Sequence, residues 1–489
     1  MSGTTVRRPR PSGPASAWAF AVDCRPLAIP AFRRMWAASV ICAVGGSFSV
    51  VAVPTQLFTV TGSSAAVGAA AGVSFAALVA AAVWSGALAD MMDRRTMLLV
   101  ADLGLALTYA ALWLQAVLGG RSVPVLLVAV AFQGLAYGTV LTTTGAAVPR
   151  LVPAELLPAA NSLSSLVRYG GSILGPLLAG VLVPVVGLGT LYLFDAVALL
   201  AVVWAVAMLP SLPPPPSAGT EDAANGGRGS SAAGRMLAGF RYLTADRLLV
   251  AVLAVDLAAM VFGMPSALFP ELARYAFGGT AGGGPETGLL YAAYPAGVFA
   301  AGLLSGTFTR ARRHGVLVAG AAVAWGIAVV LVGLAAELWI ALAALVIGGA
   351  VNFVLSTFRT TITQAHTGDA VRGRVQGALT VVLAGGPQIA NLLHGAASAA
   401  LHDAASAALH DAASAALHDA AGALYSPRIV ICAGGLLTVV TVAAITWAIP
   451  ELRRYIAPAP RPVATRTSPA APGDRVSPAP ASRAPAGRR

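Results

Sequence analysis

The chain has 489 residues, of which 57% are hydrophobic and only 10% are charged. Soluble globular proteins carry about 25% charged residues, and a soluble fold of this size cannot bury so much apolar surface. The composition therefore argues against a cytosolic enzyme, a nucleic-acid-binding module and a disordered protein. Because a membrane-spanning helix needs about 20 predominantly apolar residues, we expect a protein that crosses a membrane many times.

A formal net charge of +12 is typical of nucleic-acid-binding proteins, but the positions of the charges along this chain indicate a different role. All 31 basic residues are arginine, and most of them lie in short loops and in the two tails. Positive charge at those places sets the orientation of a membrane protein. The three cysteines are too few for a disulfide framework or a cysteine metal site. We expect no nucleic-acid partner, no cofactor and no bound metal.

Twelve apolar runs of suitable length are present, and we predict that each forms one transmembrane helix. The first half of the chain contains the runs 35–57, 65–87, 96–118, 123–148, 161–186 and 190–209. The second half contains the runs 248–269, 288–308, 316–335, 338–358, 375–393 and 429–449. The predicted fold class is an all-α membrane protein with twelve transmembrane helices in two pseudo-symmetric six-helix bundles.

A polar stretch separates the two halves. It opens with four prolines at 213–216 and continues through glycine, serine and alanine, which is typical of a linker. Its last residues, 236–243, predict a short amphipathic helix at the membrane surface. The predicted domains are a cytoplasmic N-tail (1–34), an N-terminal bundle (35–209), a cytoplasmic linker (210–247), a C-terminal bundle (248–450) and a disordered cytoplasmic C-tail (451–489).

The arginines predict the orientation. With the N-terminus in the cytoplasm, 27 of the 31 arginines lie on the inner side. The outer loops hold only Arg121, Arg274 and Arg428, and Arg168 falls inside a span. The positive-inside rule therefore predicts a multi-pass protein of the cell's inner membrane with both termini in the cytoplasm.

The outer loop between the last two spans contains an insertion at 396–421, in which the octapeptide AASAALHD occurs three times in tandem. Each copy ends in a histidine and an aspartate, and the histidines are His402, His410 and His418. Metal binding is imaginable, but side chains eight residues apart are rotated by about 80° around a helix and do not share one face. We interpret the insertion as an expansion by replication slippage that binds no ligand.

The loop after the second span carries a glycine, a leucine, an aspartate and two arginines at fixed spacing: Gly86, Leu88, Asp90, Arg94 and Arg95. This pattern resembles the G-x-L-x-D-x-x-x-R-[RK] loop signature of the major facilitator superfamily. The resemblance implies a conformational switch, in which the acid pairs with an arginine or a helix N-terminus in one state only. The alternative is an ordinary charged and solvated turn.

The fifth span carries Gly171, Gly175, Pro176 and Gly180. Together they resemble the G-x3-G-P-x2-G-G stretch of exporters in the same superfamily, with an alanine in place of one glycine. The stretch implies close helix packing and export, and the alternative is ordinary glycine-rich packing. Further matches resemble the twelve-span bacterial drug, macrolide and siderophore exporters, namely Thr61-Gly62-Ser63, Leu151-Val-Pro153, Asn161 and Arg372-Gly-Arg374.

Two departures from that subgroup weaken the expectation of proton coupling. Relatives often carry an arginine ahead of the Gln-Gly pair in the fourth span, but no arginine precedes Gln133 here. The first span lacks the acidic residue that often follows its glycine, since the sequence there is Gly45-Gly46-Ser47.

Ionisable residues inside spans are costly and point to function. Asp256 is the best candidate proton carrier, and Arg168 is either its partner or an attractor of anionic substrate. The alternative is a fixed buried pair that holds the two halves together. Asp195 is expected at the membrane interface, and Asp102 and Arg359 are expected to make contacts at the inner surface. We group Asp256, Arg168 and Gln133 as candidates for substrate and proton coupling.

The resemblance implies a monomeric, secondary-active exporter of an amphipathic small molecule, such as a drug-like compound, a siderophore or a metabolite. It would work by alternating access and exchange its substrate for protons. The chain carries no phosphate-binding loop and no defensible catalytic group, so we expect neither an ATP-driven pump nor an enzyme. An importer or uniporter of a small solute, or a non-transporting membrane scaffold or sensor, remain as alternatives.

Overall fold

A computed structural model describes residues 24–88, 92–153, 156–210, 232–280, 283–304, 308, 311–367, 372–408 and 415–456. Nearly all of these residues are helical, and none of the described residues forms a strand. The helices of the first half are α1 (Pro30–Gly45), α2 (Ser49–Thr61), α3 (Ser64–Leu88), α4 (Arg94–Val117), α5 (Val123–Leu151) and α6 (Leu157–Ala207). Those of the second half are α7 (Ala232–Ala245), α8 (Arg247–Gly263), α9 (Phe269–Ala276), α10 (Pro285–Leu303), α11 (His314–Leu334), α12 (Leu338–His366), α13 (Arg372–Ala408), α14 (Ala415–Ala448) and α15 (Pro450–Arg454).

These helices cover all twelve predicted spans, which confirms the predicted fold class. Within the described residues, nine helical segments are long and apolar enough to cross a membrane. The longest of them contains the fifth and sixth spans together, because α6 runs through both and turns at Gly187, whose φ is 78°. The predicted eighth and eleventh spans are not among the nine, but they form the long helices α10 and α13.

The first predicted span, 35–57, lies within the membrane-length segment Pro30–Thr61, which the structure divides into two helices. The structure breaks the span at Gly46 and resumes it as α2 at Ser49. The first backbone N–H groups of a new helix have no intrahelical partner. Here the Asp195 carboxylate of α6 accepts hydrogen bonds from the N–H groups of Phe48, at 3.1 Å, and Ser49, at 2.7 Å. The break therefore depends on an acid that is distant in sequence.

The seventh span is broken in a similar way. It was predicted as one helix over 248–269, but α8 ends at Gly263 and α9 begins at Phe269. The amide oxygen of Asn391, from α13, accepts hydrogen bonds from the Ser266 hydroxyl, at 2.7 Å, and from the Ala267 N–H, at 2.9 Å. Thus the equivalent spans of both halves contain a break that a neighbouring helix stabilises.

Each half has its own apolar core, and the two halves meet along two helix pairs. In the first half α3 packs against α5 and α4 packs against α6, and in the second half α11 packs between α12 and α14. Between the halves, α3 packs against α13 and α6 packs against α10. We call the side where α2 ends and α3 begins the Thr61 end, and the opposite side, where α4 begins, the Arg94 end.

The last part of the linker forms the predicted helix, but its apolar face contacts protein. Leu243 and Phe240 of α7 pack against Val375 and Leu379 of α13. The Tyr242 hydroxyl donates a 2.8 Å hydrogen bond to the carbonyl of His366. Residues 211–231 of the linker and both tails, 1–23 and 457–489, lie outside the described residues.

The octapeptide repeat extends the two helices that it joins. Residues 396–408 continue α13, residues 415–419 open α14, and 409–414 lie outside the described residues. Within the described part of the chain, no group of three or more histidine, cysteine or acidic residues has a geometry that could hold a metal ion.

Candidate functional site

A cavity of about 340 Å³ lies between the two halves. The first half contributes side chains from α2, α3 and α5, and the second half contributes side chains from the segment that follows α8 and from α9 to α13. Most of the lining is apolar. A site that both halves build can change shape whenever the two halves move relative to each other, which is what a carrier requires.

Aromatic rings form the wall of the cavity on the side of the second half. The rings of Phe269 and Tyr291 meet edge to face at 5.1 Å, and those of Tyr294 and Trp325 do so at 5.4 Å. The Tyr291 hydroxyl donates to the carbonyl of Ser266 at 3.0 Å, and the Trp325 indole N–H donates to a backbone carbonyl of α8 at 3.0 Å. The polar atoms of these rings are therefore engaged in the protein, and the rings are held in fixed positions.

The aromatic wall was not predicted from the sequence. Two of its members, Tyr291 and Tyr294, lie three residues apart on α10, and that spacing places side chains on one face of a helix. The spacing was available in the sequence, but a stripe of aromatic residues in a span is equally typical of helix packing. Only the packing of α10 against its neighbours shows that the stripe faces a cavity.

Amide side chains line the remaining part of the cavity: Gln133, Gln388 and Asn391. The side-chain nitrogen of Gln133 is buried and has no hydrogen-bond partner among the described residues. Gln133 is one of the predicted coupling residues, and the structure places it on the cavity. An unsatisfied buried donor is costly, so a ligand that accepts its hydrogen bond would gain affinity.

A second cavity of about 370 Å³ adjoins the first. The two share Ser49, Ser74, Gln133 and Gln388 among their lining residues. The second cavity also reaches Leu78 of α3 and Leu383 of α13, both of which lie further from the Thr61 end along their helices. Together they form one elongated space, and among its described lining residues there is no acid, arginine or histidine.

The two halves are in contact above this cavity at the Thr61 end. The rings of Phe58 and Tyr275 meet at 6.2 Å. The buried carboxylate of Glu271 on α9 accepts a hydrogen bond from the Ser64 hydroxyl of α3. A Cβ atom at Gly180 of α6 would lie only 2.8 Å from the Cα of Gly288 on α10. These contacts separate the cavity from the Thr61 end.

Asp256 does not pair with Arg168, so that part of the prediction was wrong. Its carboxylate accepts a 2.7 Å charge-assisted hydrogen bond from Arg359 of α12, and only 2% of Asp256 is exposed. Arg168 is exposed, and its guanidinium stacks on the ring of Tyr169 at 5.2 Å. The pairing with Arg359 could not be predicted because the two residues are separated by 103 positions and three helices.

Three further ionisable side chains are buried within the protein: Asp195, Asp102 and Arg359. Asp195 also caps the broken first span. Their predicted positions near the two membrane surfaces stay predictions. The burial follows from their partners and packing, which the hydropathy pattern does not contain.

The family of the chain follows from its similarity to known proteins. The model of the Major Facilitator Superfamily matches residues 35–391. The chain belongs to the major facilitator superfamily. Membership confirms the resemblance seen in the sequence and makes the chain a multi-pass membrane transporter, not an enzyme.

Relatives and solved structures agree with this family. The enterobactin exporter EntS of Shigella boydii serotype 18 is 28% identical over 370 residues, which cover 76% of this chain and 86% of that protein. EntS of Citrobacter koseri is similar to the same extent. A bacterial homolog of the human lysosomal transporter Spinster, solved inward-facing and unoccupied, has a TM-score of 0.66 at 16% identity and covers 88% of this chain and 99% of its own. The nucleoside transporter NupG has a TM-score of 0.64 at 13% identity, covering 86% and 99%.

Only part of the superfamily's loop signature lies within the described residues. Gly86 and Leu88 lie in the last turn of α3, and Asp90 lies outside the described residues. Arg94 opens α4, and Arg95 donates a hydrogen bond to the carbonyl of residue 207 at the end of α6. A cation at a helix C-terminus is favourable, so Arg95 ties two helices of the same half together. Its role in a switch stays a prediction.

The glycines of the superfamily's fifth-span motif contact two different neighbours. A Cβ at Gly171 would lie 2.7 Å from the Cβ of Ala43 on α1, and Gly175 is similarly close to Ser47. Gly180 instead faces α10 of the other half. Pro176 lies between these two contact regions, within the long helix α6. We keep the motif as a proposal for close helix packing.

Proposed function

We propose that the protein exports an amphipathic small molecule of the siderophore or drug-like class across the bacterial inner membrane, by alternating access and in exchange for protons. The observation that carries this proposal is the cavity between the halves, which packed helices separate from the Thr61 end. With both termini in the cytoplasm, as the arginines predict, the Thr61 end faces outward. Substrate then enters this state from the cytoplasm.

Two findings support export in preference to import. The fifth span carries the glycine-rich stretch that resembles exporters of the superfamily. The similar proteins from Shigella boydii and Citrobacter koseri are both enterobactin exporters. The mostly apolar lining with a few amide groups suits a molecule that has both apolar rings and polar atoms. A siderophore without iron is the first substrate to test.

The test is flux in proteoliposomes that contain the purified protein. We expect iron-free enterobactin or an amphipathic dye to accumulate inside vesicles with an acidic lumen, and the lumen to become more alkaline as it does so. Dissipating the pH gradient with nigericin should abolish both signals. Vesicles without protein provide the blank, and an Asp256→Asn variant tests the predicted proton carrier.

The same experiment separates the alternatives. Movement of substrate that is indifferent to the pH gradient contradicts proton exchange and supports a uniporter. The absence of acids among the described lining residues favours that second candidate. Movement coupled to protons in the same direction indicates an importer. A lack of movement for enterobactin and for every dye contradicts the exporter proposal and supports the scaffold or sensor.

A further inference from the structure

The central cavity combines fixed aromatic faces, a buried amide donor and, among its described lining residues, no charged side chain. We infer that its ligand is a ring-bearing molecule without an anionic group, whose hydrogen-bond acceptor meets the side-chain nitrogen of Gln133. This inference rests on the proposed function, since it names the class of substrate at the same site. It goes further because a general amphipathic exporter would also take anions.

The exclusion of anions follows from the groups that line the cavity. An anionic group that leaves water must be paired or must receive several hydrogen bonds, and otherwise its burial costs several kcal/mol. The described lining residues include no arginine or histidine for an anion, whereas the aromatic faces can stabilise a cation. Arg359 does not supply a positive charge, because it is not among the lining residues and Asp256 neutralises it.

The rings and the amide donor that line the cavity explain why the ligand should carry aromatic rings and a hydrogen-bond acceptor. The hydroxyl of Tyr291 and the indole N–H of Trp325 already donate to backbone carbonyls, so these side chains present mainly ring surface. The amide oxygen of Asn391 is occupied by two donors near residue 266. The buried nitrogen of Gln133 has no partner among the described residues, so it favours a ligand with an acceptor at that position.

Equilibrium dialysis with three probes of one ring system tests the inference. The probes are naphthyl methyl ketone, naphthalenesulfonate and naphthylmethyl-trimethylammonium, and protein-free micelles are the blank. We expect the wild type to bind the neutral ketone at least about tenfold more tightly than naphthalenesulfonate, because the described lining residues offer no partner to an anion. Gln133→Leu should weaken binding of the ketone by about two- to tenfold, which corresponds to one lost hydrogen bond.

Gln133→Glu is the matched variant, because it keeps the size of the side chain and adds a charge. It should increase affinity for the trimethylammonium probe and decrease affinity for the ketone. Equal binding of naphthalenesulfonate and the ketone by the wild type, or unchanged binding of the ketone by Gln133→Leu, would overturn the inference. Because binding is measured without flux, a failed transport assay contradicts the proposed function and leaves this result to stand alone.

A different observation carries a second inference at the Thr61 end. Glu271 is only 6% exposed, and its carboxylate accepts hydrogen bonds from both halves: from Ser64 of α3 and, at 3.1 Å, from Ser398 of α13. Ser398 is the serine of the first octapeptide copy. We propose that Glu271 locks the Thr61 end shut and that the first copy supplies one of the hydroxyls of the lock.

Among the described residues, His402 and Asp403 of the same copy and Tyr275 of α9 line the polar pocket of about 530 Å³ around the carboxylate. The lock therefore joins α9 to helices of both halves, and opening the Thr61 end must break the bond to Ser64. The proposal assigns a role to the first copy alone, since residues 409–414 of the later copies lie outside the described residues.

Cysteine labelling tests the lock. A single cysteine at Ala70, on the cavity wall, is placed in a variant whose three native cysteines are replaced, and an impermeant maleimide is added outside intact cells. Glu271→Ala should raise the labelling rate about threefold or more, and Ser64→Ala should add little to Glu271→Ala because both remove the same bond. An unchanged rate in Glu271→Ala would overturn the proposal.

The tandem repeat offers a matched control. Deleting residues 404–411 removes one copy but leaves the first copy in place. We expect this deletion to label like the parent, while Ser398→Ala labels faster. Faster labelling in the deletion than in Ser398→Ala would contradict the role of the first copy. Labelling measures opening of the Thr61 end in the absence of substrate. Its outcome is therefore independent of whether the protein exports the proposed substrate.

Discussion

Replacing Asp256 with leucine is expected to destabilise the protein by about 3 to 5 kcal/mol, because Arg359 would remain charged and buried without a partner. The two side chains form a 2.7 Å ion pair between α8 and α12, and Asp256 is almost completely buried. Thermal unfolding in detergent, followed as the loss of monodisperse protein, measures the effect. The expected result is a much lower midpoint than that of the wild type.

The double variant Asp256→Leu with Arg359→Met is the control for this prediction. It removes both charges together, and replacing a buried ion pair by apolar side chains is often neutral or stabilising. Recovery of the midpoint in the double variant would show that the pair has a structural role. If Asp256→Leu unfolds like the wild type, the pair contributes little to stability. A loss of proton-coupled flux in an Asp256 variant can then be attributed to the missing carboxyl group and not to unfolding.

The second prediction concerns the contact between α6 and α10. Gly180→Ala should reduce transport at least about tenfold, because the added methyl group would lie 2.8 Å from the Cα of Gly288 and 2.9 Å from the carbonyl of Gly284. Backbone atoms cannot move aside as a flexible side chain does. The two halves would then be held apart at the Thr61 end. Flux in proteoliposomes and labelling of the cysteine at Ala70 measure the two consequences.

Gly170→Ala is the matched control on the same helix. A Cβ at Gly170 would have no heavy atom of the described residues within 4 Å outside the backbone of its own helix and its chain neighbours, so this substitution is expected to leave flux and labelling unchanged. Loss of flux in both variants would point to a general effect of alanine on α6. Normal flux in Gly180→Ala would show that the close approach of α6 to α10 is not required for closing the Thr61 end.

Periodicity and composition were sufficient for the membrane class and the twelve spans. These properties depend on local apolar content, since a bilayer requires every span to satisfy its own backbone hydrogen bonds. The loop signature from Gly86 to Arg95 is also local, and it was readable for the same reason. The site was only partly predictable: Gln133 was singled out and lies on the cavity, whereas the aromatic wall was not found.

The remaining features depend on partners that are distant in the sequence. The break in the first span follows from Asp195, 147 positions from Phe48, and the partner of Asp256 follows from the packing of α8 against α12. A hydropathy pattern records how apolar a segment is, but not which helix it faces. The sequence by itself therefore determined that this chain is a twelve-helix transporter of its superfamily. Tertiary packing alone decided where the helices break, which charges pair and which side chains line the cavity, because each of these needs two segments to meet.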